Sequence, residues 1–172
     1  MKLIKIIFLF VLFISAGTVS AESKIVVPDF ELLDLTMRLS DPAKVAKINA
    51  QEQQNLRMIE GILRNGLNKI DGFSLLTSTT EQRNAADKST GYLFDCAACS
   101  AQFGRELGAD YIVIGRHHKP TYLFSYIIVR VFDTANNTLV KEYRSEVKGD
   151  PNKAIPGATY NLISKIDKIL PH

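Results

Sequence analysis

Short apolar runs alternate along the chain with longer stretches of helical periodicity. The runs at Lys24–Leu33, Phe73–Ser78 and Tyr111–Ile114 predict β-strands. The third run is apolar throughout and ends at Gly115, as is typical of a central strand buried on both faces. Pro28 interrupts the first run, and because proline cannot donate to a strand ladder, it predicts either an edge position or a break in that strand.

Two further strands are predicted in the last third of the chain. Thr121–Phe132 is rich in β-branched and aromatic residues, and Leu139–Lys148 is a more polar strand. Asn136 and Asn137 lie between them, and asparagine tolerates the positive φ of tight turns. The two segments therefore predict a β-hairpin. Its second strand offers a candidate interaction edge, or a solvated edge guarded by charge, with these residues on one face: Glu142, Arg144, Glu146 and Lys148.

Helix signals separate the predicted strands. Asp41 followed by Pro42 is a cap-plus-proline start, which Asp150 and Pro151 repeat before the final helix. Gly72 is a natural terminator of the first helix. An apolar stripe with steps of three and four residues follows the first start: Leu56, Ile59, Leu63, Leu67 and Ile70.

The resulting order is β-α-β-α-β-β-β-α. Strands separated by helices imply parallel crossovers, and the hairpin adds antiparallel strands. We therefore expect an α/β fold with a single mixed sheet and helices packed on it.

The N-terminus has the pattern of a secretory signal peptide. Lys2 and Lys5 precede an apolar run from Ile6 to Ile14, and small residues lead to Ala21. The apolar run is shorter than the about 20 residues of a transmembrane helix; an uncleaved amphipathic anchor is the alternative. We expect cleavage of residues 1–21, a periplasmic location, and one domain over residues 22–172 without a transmembrane segment.

Charge and motifs narrow the functional classes. The chain has 21 basic and 18 acidic residues, and two of the lysines lie in the leader, so the exported part is almost neutral. This balance excludes the basic surface of a nucleic-acid-binding protein. The sequence contains neither a Gly-x-Ser-x-Gly elbow nor a glycine-rich phosphate loop, and it predicts no cofactor.

Cys96 and Cys99 are the only cysteines and could form a structural disulfide, a redox centre or part of a metal site. In an oxidising compartment a close pair tends to oxidise, and closing this loop adds about 2 kcal/mol. Asp95 opposes thiolate formation, and no basic residue lies within five positions of the motif, which favours a structural disulfide over redox exchange. Haem attachment is excluded, because Ser100 occupies the position that requires histidine.

Five other residues are candidate contacts for a ligand or partner. His117 and His118 follow the buried strand, and at most one of them could join the cysteines on a metal, because neighbours on a strand face opposite sides. Lys119 comes directly after them. Asp29 and Asp34 lie near the end of the first strand, where α/β sheets often bind ligands. The alternative is that these are ordinary loop and strand-end residues.

Several segments together resemble a bacterial family of small exported proteins known only as a domain of unknown function. The matching motifs are Phe30-Glu31-Leu32 with Asp34, the Cys96/Cys99 pair, Leu107 to Tyr111, and Gly115 with Lys119. A tryptophan typical of that family is absent here, and Ile155 lies near its place. More distantly, the order of elements looks like the TolB N-terminal domain and the core of CsgG-type secretion proteins.

The resemblance implies a non-enzymatic periplasmic accessory or binding protein with an unidentified envelope protein as its partner. It also implies an association with quinoprotein alcohol or methanol oxidation. The alternative from the residues is a thiol-disulfide oxidoreductase or metal-handling protein that uses Cys96 and Cys99.

Overall fold

The computed structural model describes residues 22–36, 41–90 and 93–171, so the predicted signal peptide lies outside the described residues. The strands are β1 (Ser23–Val26), β2 (Glu31–Asp34), β3 (Phe73–Leu76), β4 (Tyr111–Lys119), β5 (Phe124–Asp133) and β6 (Thr138–Lys148). The helices are α1 (Pro42–Leu67), α2 (Thr80–Thr90), α3 (Ala97–Glu106) and α4 (Pro151–Asp167), with a 3-10 turn at Leu93–Asp95.

The strands form one mixed sheet in the order β3-β1-β4-β5-β6. β1 is parallel to β3 and β4, whereas β4, β5 and β6 form an antiparallel meander. β2 pairs with β4 in parallel beyond the end of β1. The predicted fold class, a single mixed α/β sheet with helices packed on it, is confirmed.

The first predicted strand is broken at Pro28 into β1 and β2. Ile25 and Val26 pair with the start of β4, and after the break β2 pairs with its last four residues. The break, rather than an edge position, is therefore the effect of the proline, because β1 lies inside the sheet.

Gly115 does not end β4, as the sequence suggested, because the strand continues to Lys119. The ring of Phe30, from the segment between β1 and β2, covers Gly115, and a Cβ at this position would overlap three ring atoms. The glycine thus makes room for an aromatic side chain in the core.

The helix starts follow the predicted caps. Asp41 accepts a hydrogen bond from the Ala43 N–H at 2.9 Å, and Asp150 accepts one from the Asn152 N–H at 3.0 Å. α1 ends at Leu67, earlier than Gly72, which instead adopts a φ of +88° in the turn before β3. The remaining residues of that segment form the turn between α1 and β3.

Helix α2 begins with a reciprocal capping box. The Gln82 N–H donates to the Thr79 hydroxyl at 3.1 Å, and the Thr79 N–H donates to the Gln82 side-chain oxygen at 2.8 Å. The element order predicted from the sequence has a single helix between β3 and β4, whereas the structure has both α2 and α3 there.

The sheet has apolar layers on both faces. α1 and α4 cover one face, with a core that includes Ile59, Val113 and Leu162. α3 and the 3-10 turn cover the other, with Phe94, Phe103 and Ile112. Within the described residues, no helix is long and apolar enough to cross a membrane.

Candidate functional site

A polar cleft lies where β2 and β4 end beside α1. Because these strands are parallel, their carboxyl ends meet at the same edge of the sheet, and Asp34 pairs in register with Lys119. Glu52 and Asn55 of α1 and Ser125 of β5 line the cleft together with His117 and Lys119. The cleft has a volume of about 130 Å³. The structure therefore brings three of the five predicted contact residues together: Asp34, His117 and Lys119.

Lys119 is the centre of the charge network in this cleft. Its ammonium lies 2.6 Å from Glu52 Oε1 and 3.2 Å from Asp34 Oδ2. Burial lowers the pKa of Lys119, but hydrogen bonds to the two carboxylates and their charges outweigh burial, so the pKa is raised. Burial raises the pKa of Asp34, but hydrogen bonds from Thr36 and the charge of Lys119 outweigh it, and the pKa is lowered.

His117 is almost completely buried, with 2% of the residue exposed. Burial lowers its pKa, and the Glu52 carboxylate offsets this effect only in part, so the imidazole is neutral near pH 7. The Nε2 atom lies 2.8 Å from the Ser125 hydroxyl, whereas Nδ1 has no hydrogen-bond partner among the described residues. A buried polar atom that is left unpaired costs about 1–3 kcal/mol.

In space, His117 lies between Ser125 and Glu52, as the histidine of a catalytic triad lies between its serine and its acid. The Nδ1 atom of His117, however, lies 3.6 Å from Glu52 Oε2, which is longer than a hydrogen bond. Glu52 is also engaged by Lys119 and by the Asn55 amide, which donates to Oε2 at 3.2 Å. Ser125 lies inside β5 and not on a sharp turn that would present its oxygen. The geometry therefore suits the binding of a polar group better than nucleophilic catalysis.

The other two predicted contact residues lie elsewhere. His118 faces the opposite side of the sheet from His117, and burial, with the charges of Arg144 and Arg116, lowers its pKa. Asp29 accepts hydrogen bonds from Arg64 at 2.9 Å and from the Thr80 hydroxyl at 2.7 Å.

Arginines hold Asp29 and its neighbours in a second charge cluster between α1 and α2. Burial raises the pKa of Asp29, but the Thr80 and Arg64 hydrogen bonds and the arginine charges outweigh it, so the pKa is lowered. Arg83 is 5% exposed and donates to the Asp29 carbonyl oxygen. These contacts join the segment after β1 to both helices.

The sulfur atoms of Cys96 and Cys99 lie at disulfide bonding distance, and their Cα atoms are 5.3 Å apart. Cys96 is the N-cap of α3, and its sulfur accepts a hydrogen bond from the Cys99 N–H at 3.3 Å. Cys99 packs against the core, but both residues are only half-buried. No group of three or more His, Cys, Asp or Glu that could hold a metal ion occurs in the described part of the chain.

Tertiary structure places two arginines beside the cysteine segment, although the sequence has no basic residue within five positions of the motif. The guanidinium groups of Arg116 and Arg130 lie 3.9 and 4.4 Å from the centre of the Phe94 ring. Arg116 also donates to the Asp95 carboxylate at 2.6 Å. The negative charge of Asp95 is therefore balanced, which weakens the electrostatic objection to a Cys96 thiolate.

Three exposed apolar side chains lie next to the cleft. Leu35 is 55% exposed, Tyr122 72% and Leu123 82%, and we call these three residues the apolar rim. The Tyr122 hydroxyl donates to the Thr36 carbonyl oxygen, which joins the loop after β4 to the end of β2.

Sequence reasoning missed Glu52, Asn55 and Ser125. Glu52 lies in the mostly polar first half of α1, yet only 6% of it is exposed. A signal was present, because Glu52 precedes Leu56 by four residues and so continues the buried stripe.

Comparison with known proteins places the chain in a family and finds solved structures that are similar to it. A family model named DUF3280, with the description "Protein of unknown function (DUF2380)", matches residues 23–166. No curated protein sequence matches the chain significantly. The predicted membership of a family of unknown function is thereby confirmed.

Among solved structures, the LpoB C-terminal domain from Salmonella enterica is 14% identical, with 78% of this chain and 88% of that chain covered and a TM-score of 0.47. The PelC dodecamer from Paraburkholderia phytofirmans is 12% identical, with coverage of 89% and 91% and a TM-score of 0.49. TolB from Acinetobacter baumannii is 15% identical, with coverage of 86% and 28% and a TM-score of 0.49.

Proposed function

We propose that this chain, which belongs to the DUF3280 family, is a non-enzymatic accessory or binding protein of the cell envelope. It is exported by cleavage of residues 1–21 and works in the periplasm as one domain over residues 22–172. Its partner is another envelope protein, which binds at the apolar rim. The association with quinoprotein alcohol or methanol oxidation rests on the sequence resemblance alone.

The apolar rim is the observation that carries this proposal. Its three side chains are each more than half exposed. Leu35 and Tyr122 line a surface hollow of about 480 Å³, and Leu123, the next residue in the chain, lines the cleft together with Tyr122. Adjoining exposed apolar side chains with polar surroundings are typical of interaction sites. The segments 35–36 and 120–123 contain no basic residue that would attract an anionic lipid headgroup, which favours a protein partner over a membrane surface.

The charge clusters support a non-enzymatic role. Lys119 is held by two carboxylates in the cleft, and Asp29 is held by Arg64 and Arg83 between the helices. Groups that are fixed in this way stabilise the fold, whereas a catalytic acid or base must be available to a substrate.

Photo-crosslinking in the native cell tests the rim. A benzophenone amino acid at Leu123 should give a discrete crosslinked protein, whereas the same group at Tyr160, which is 61% exposed on α4, should not. Replacing Tyr122 by Ser in the Leu123 crosslinking protein should reduce the adduct. Identical patterns at both positions, or no adduct at either, would contradict docking at the rim. Covalent labelling of Ser125 by a fluorophosphonate would contradict the non-enzymatic assignment.

Thiol-disulfide exchange is a second candidate function, because Cys96 is only half-buried and caps the N-terminus of α3. That position lowers a thiol pKa. Titration of the purified protein with redox buffers, followed by mass-tagged alkylation, separates the two roles. A structural disulfide predicts a potential below about −300 mV, and an exchange protein predicts about −120 to −200 mV with a thiol that labels in the native state.

A further inference from the structure

The cleft beside His117 has the dimensions of a small-molecule site. Its volume of about 130 Å³ is close to that of cavities of about 150 Å³ that hold benzene, so it suits a ligand of about six non-hydrogen atoms. Nucleotides and other large ligands are excluded, because pockets for ligands of drug size occupy roughly 300–1,000 Å³. The exposed loop residues Tyr122 and Leu123 line it together with the buried His117 and Ser125, so the site can be reached from solvent.

The two ring nitrogens of the buried His117 imidazole differ in their hydrogen bonding. Nε2 is used by the Ser125 hydroxyl, and Nδ1 has no partner among the residues that the structure describes. If the Nε2 proton is donated to Ser125, Nδ1 is a free acceptor, which calls for a donor on the ligand. Buried polar atoms of native proteins are rarely left without a partner.

The net charge of the network determines whether a cation or an anion is favoured as the ligand. Asp34 and Glu52 are two carboxylates, and Lys119 is the one ammonium that bridges them. Of these groups, Glu52 and Lys119 line the cleft and Asp34 adds a second carboxylate beside Lys119, so with a neutral His117 the network has one negative charge in excess. A cation is therefore favoured over an anion, and an N–H donor on that cation would also suit His117 Nδ1.

Apolar and aromatic groups form the rest of the lining. Tyr122 and Phe124 present aromatic rings, which attract organic cations, and Val147 and Ile155 offer surface for an alkyl chain. The absence of a three-ligand metal arrangement in residues 22–36, 41–90 and 93–171 argues for an organic cation over a metal ion. We propose that this cleft binds a small organic cation with a primary ammonium group and a short alkyl chain. This proposal does not depend on the partner-binding function.

Titration of the purified protein with three matched probes tests the proposal: n-butylammonium chloride, butan-1-ol and sodium butyrate. We expect saturable binding of n-butylammonium, at least about tenfold tighter than that of the other two, because only the ammonium is a cation with N–H donors. Long-range proton–nitrogen spectra of the imidazole rings should show a saturable shift of His117 Nδ1. Equal binding of the alcohol, preference for butyrate, or a response that does not saturate would overturn the proposal.

Variants locate the site. Glu52→Gln should weaken n-butylammonium binding about tenfold or more, whereas Glu60→Gln, which removes another buried glutamate of α1 outside the cleft, should leave it unchanged. Tyr122→Ala removes an exposed aromatic wall and should weaken binding severalfold without a threat to the core. Circular dichroism confirms folding, and if Glu52→Gln does not fold, the probe series and Tyr122→Ala decide. Equal affinity in all variants would contradict the location.

Discussion

Replacing Gly115 by alanine should destabilise the protein through a single steric overlap. The added Cβ would overlap Cζ, Cε1 and Cε2 of Phe30, a residue that is 5% exposed. Phe30 has little freedom to move away, because its side chain is packed in the core and its backbone N–H donates to the buried Glu60 carboxylate at 2.7 Å. Overpacking of this kind costs about 1–3 kcal/mol, and with a fixed ring we expect about 2–3 kcal/mol.

A double-mutant cycle with Phe30→Leu isolates that overlap. Leucine lacks the three ring atoms that meet the new Cβ, so it removes the clash at its own cost of about 1–2 kcal/mol. Gly115→Ala should then cost almost nothing in the Phe30→Leu protein, which means a coupling energy of about 2–3 kcal/mol.

Urea denaturation followed by far-UV circular dichroism measures the free energy of unfolding of all four proteins, provided that the slope with urea stays constant. A Gly115→Ala protein within about 0.5 kcal/mol of the wild type, or additive effects of the two substitutions, would refute the packing role of Gly115.

Three further predictions concern stability. Gly61→Ala in α1 should raise the free energy of unfolding by about 0.5–1 kcal/mol in urea denaturation, because its new Cβ meets no atom within 4 Å; a loss of stability would contradict this. Asp150→Ala should lower it by about 1 kcal/mol through loss of the α4 cap, and an unchanged midpoint would argue against the cap. The pKa of His117 is lowered from its ordinary value of 6.5, so the unfolded chain takes up a proton that the folded protein resists. Stability should therefore fall as the pH drops below 6.5, and His117→Gln should make this fall less steep, which pH-dependent urea denaturation measures.

Local sequence signals determined most of the secondary structure. Asp41 and Asp150 cap their helices, because a cap joins groups two or three residues apart and needs no tertiary partner. Pro28 broke the first strand for an equally local reason, since it has no N–H to donate. Asn137 adopts a φ of +56° in the predicted hairpin turn. The order of these elements was sufficient to predict a mixed sheet with helices packed on it.

Tertiary structure alone decided the roles of Gly115 and of the residues of the cleft. The sequence predicted that Gly115 ends a strand. The real reason for the glycine, contact with the Phe30 ring, was not visible because Phe30 lies 85 positions earlier in the chain. Glu52 lies in a polar stretch of α1, and only the folded chain places it beside His117 and Lys119 of β4. Hydrophobic burial places these elements side by side, and burial then makes each polar contact between them strong and each unpaired atom costly. The strength of these polar contacts depends on which residues meet across the sheet, and residues that are distant in sequence meet only in the folded chain.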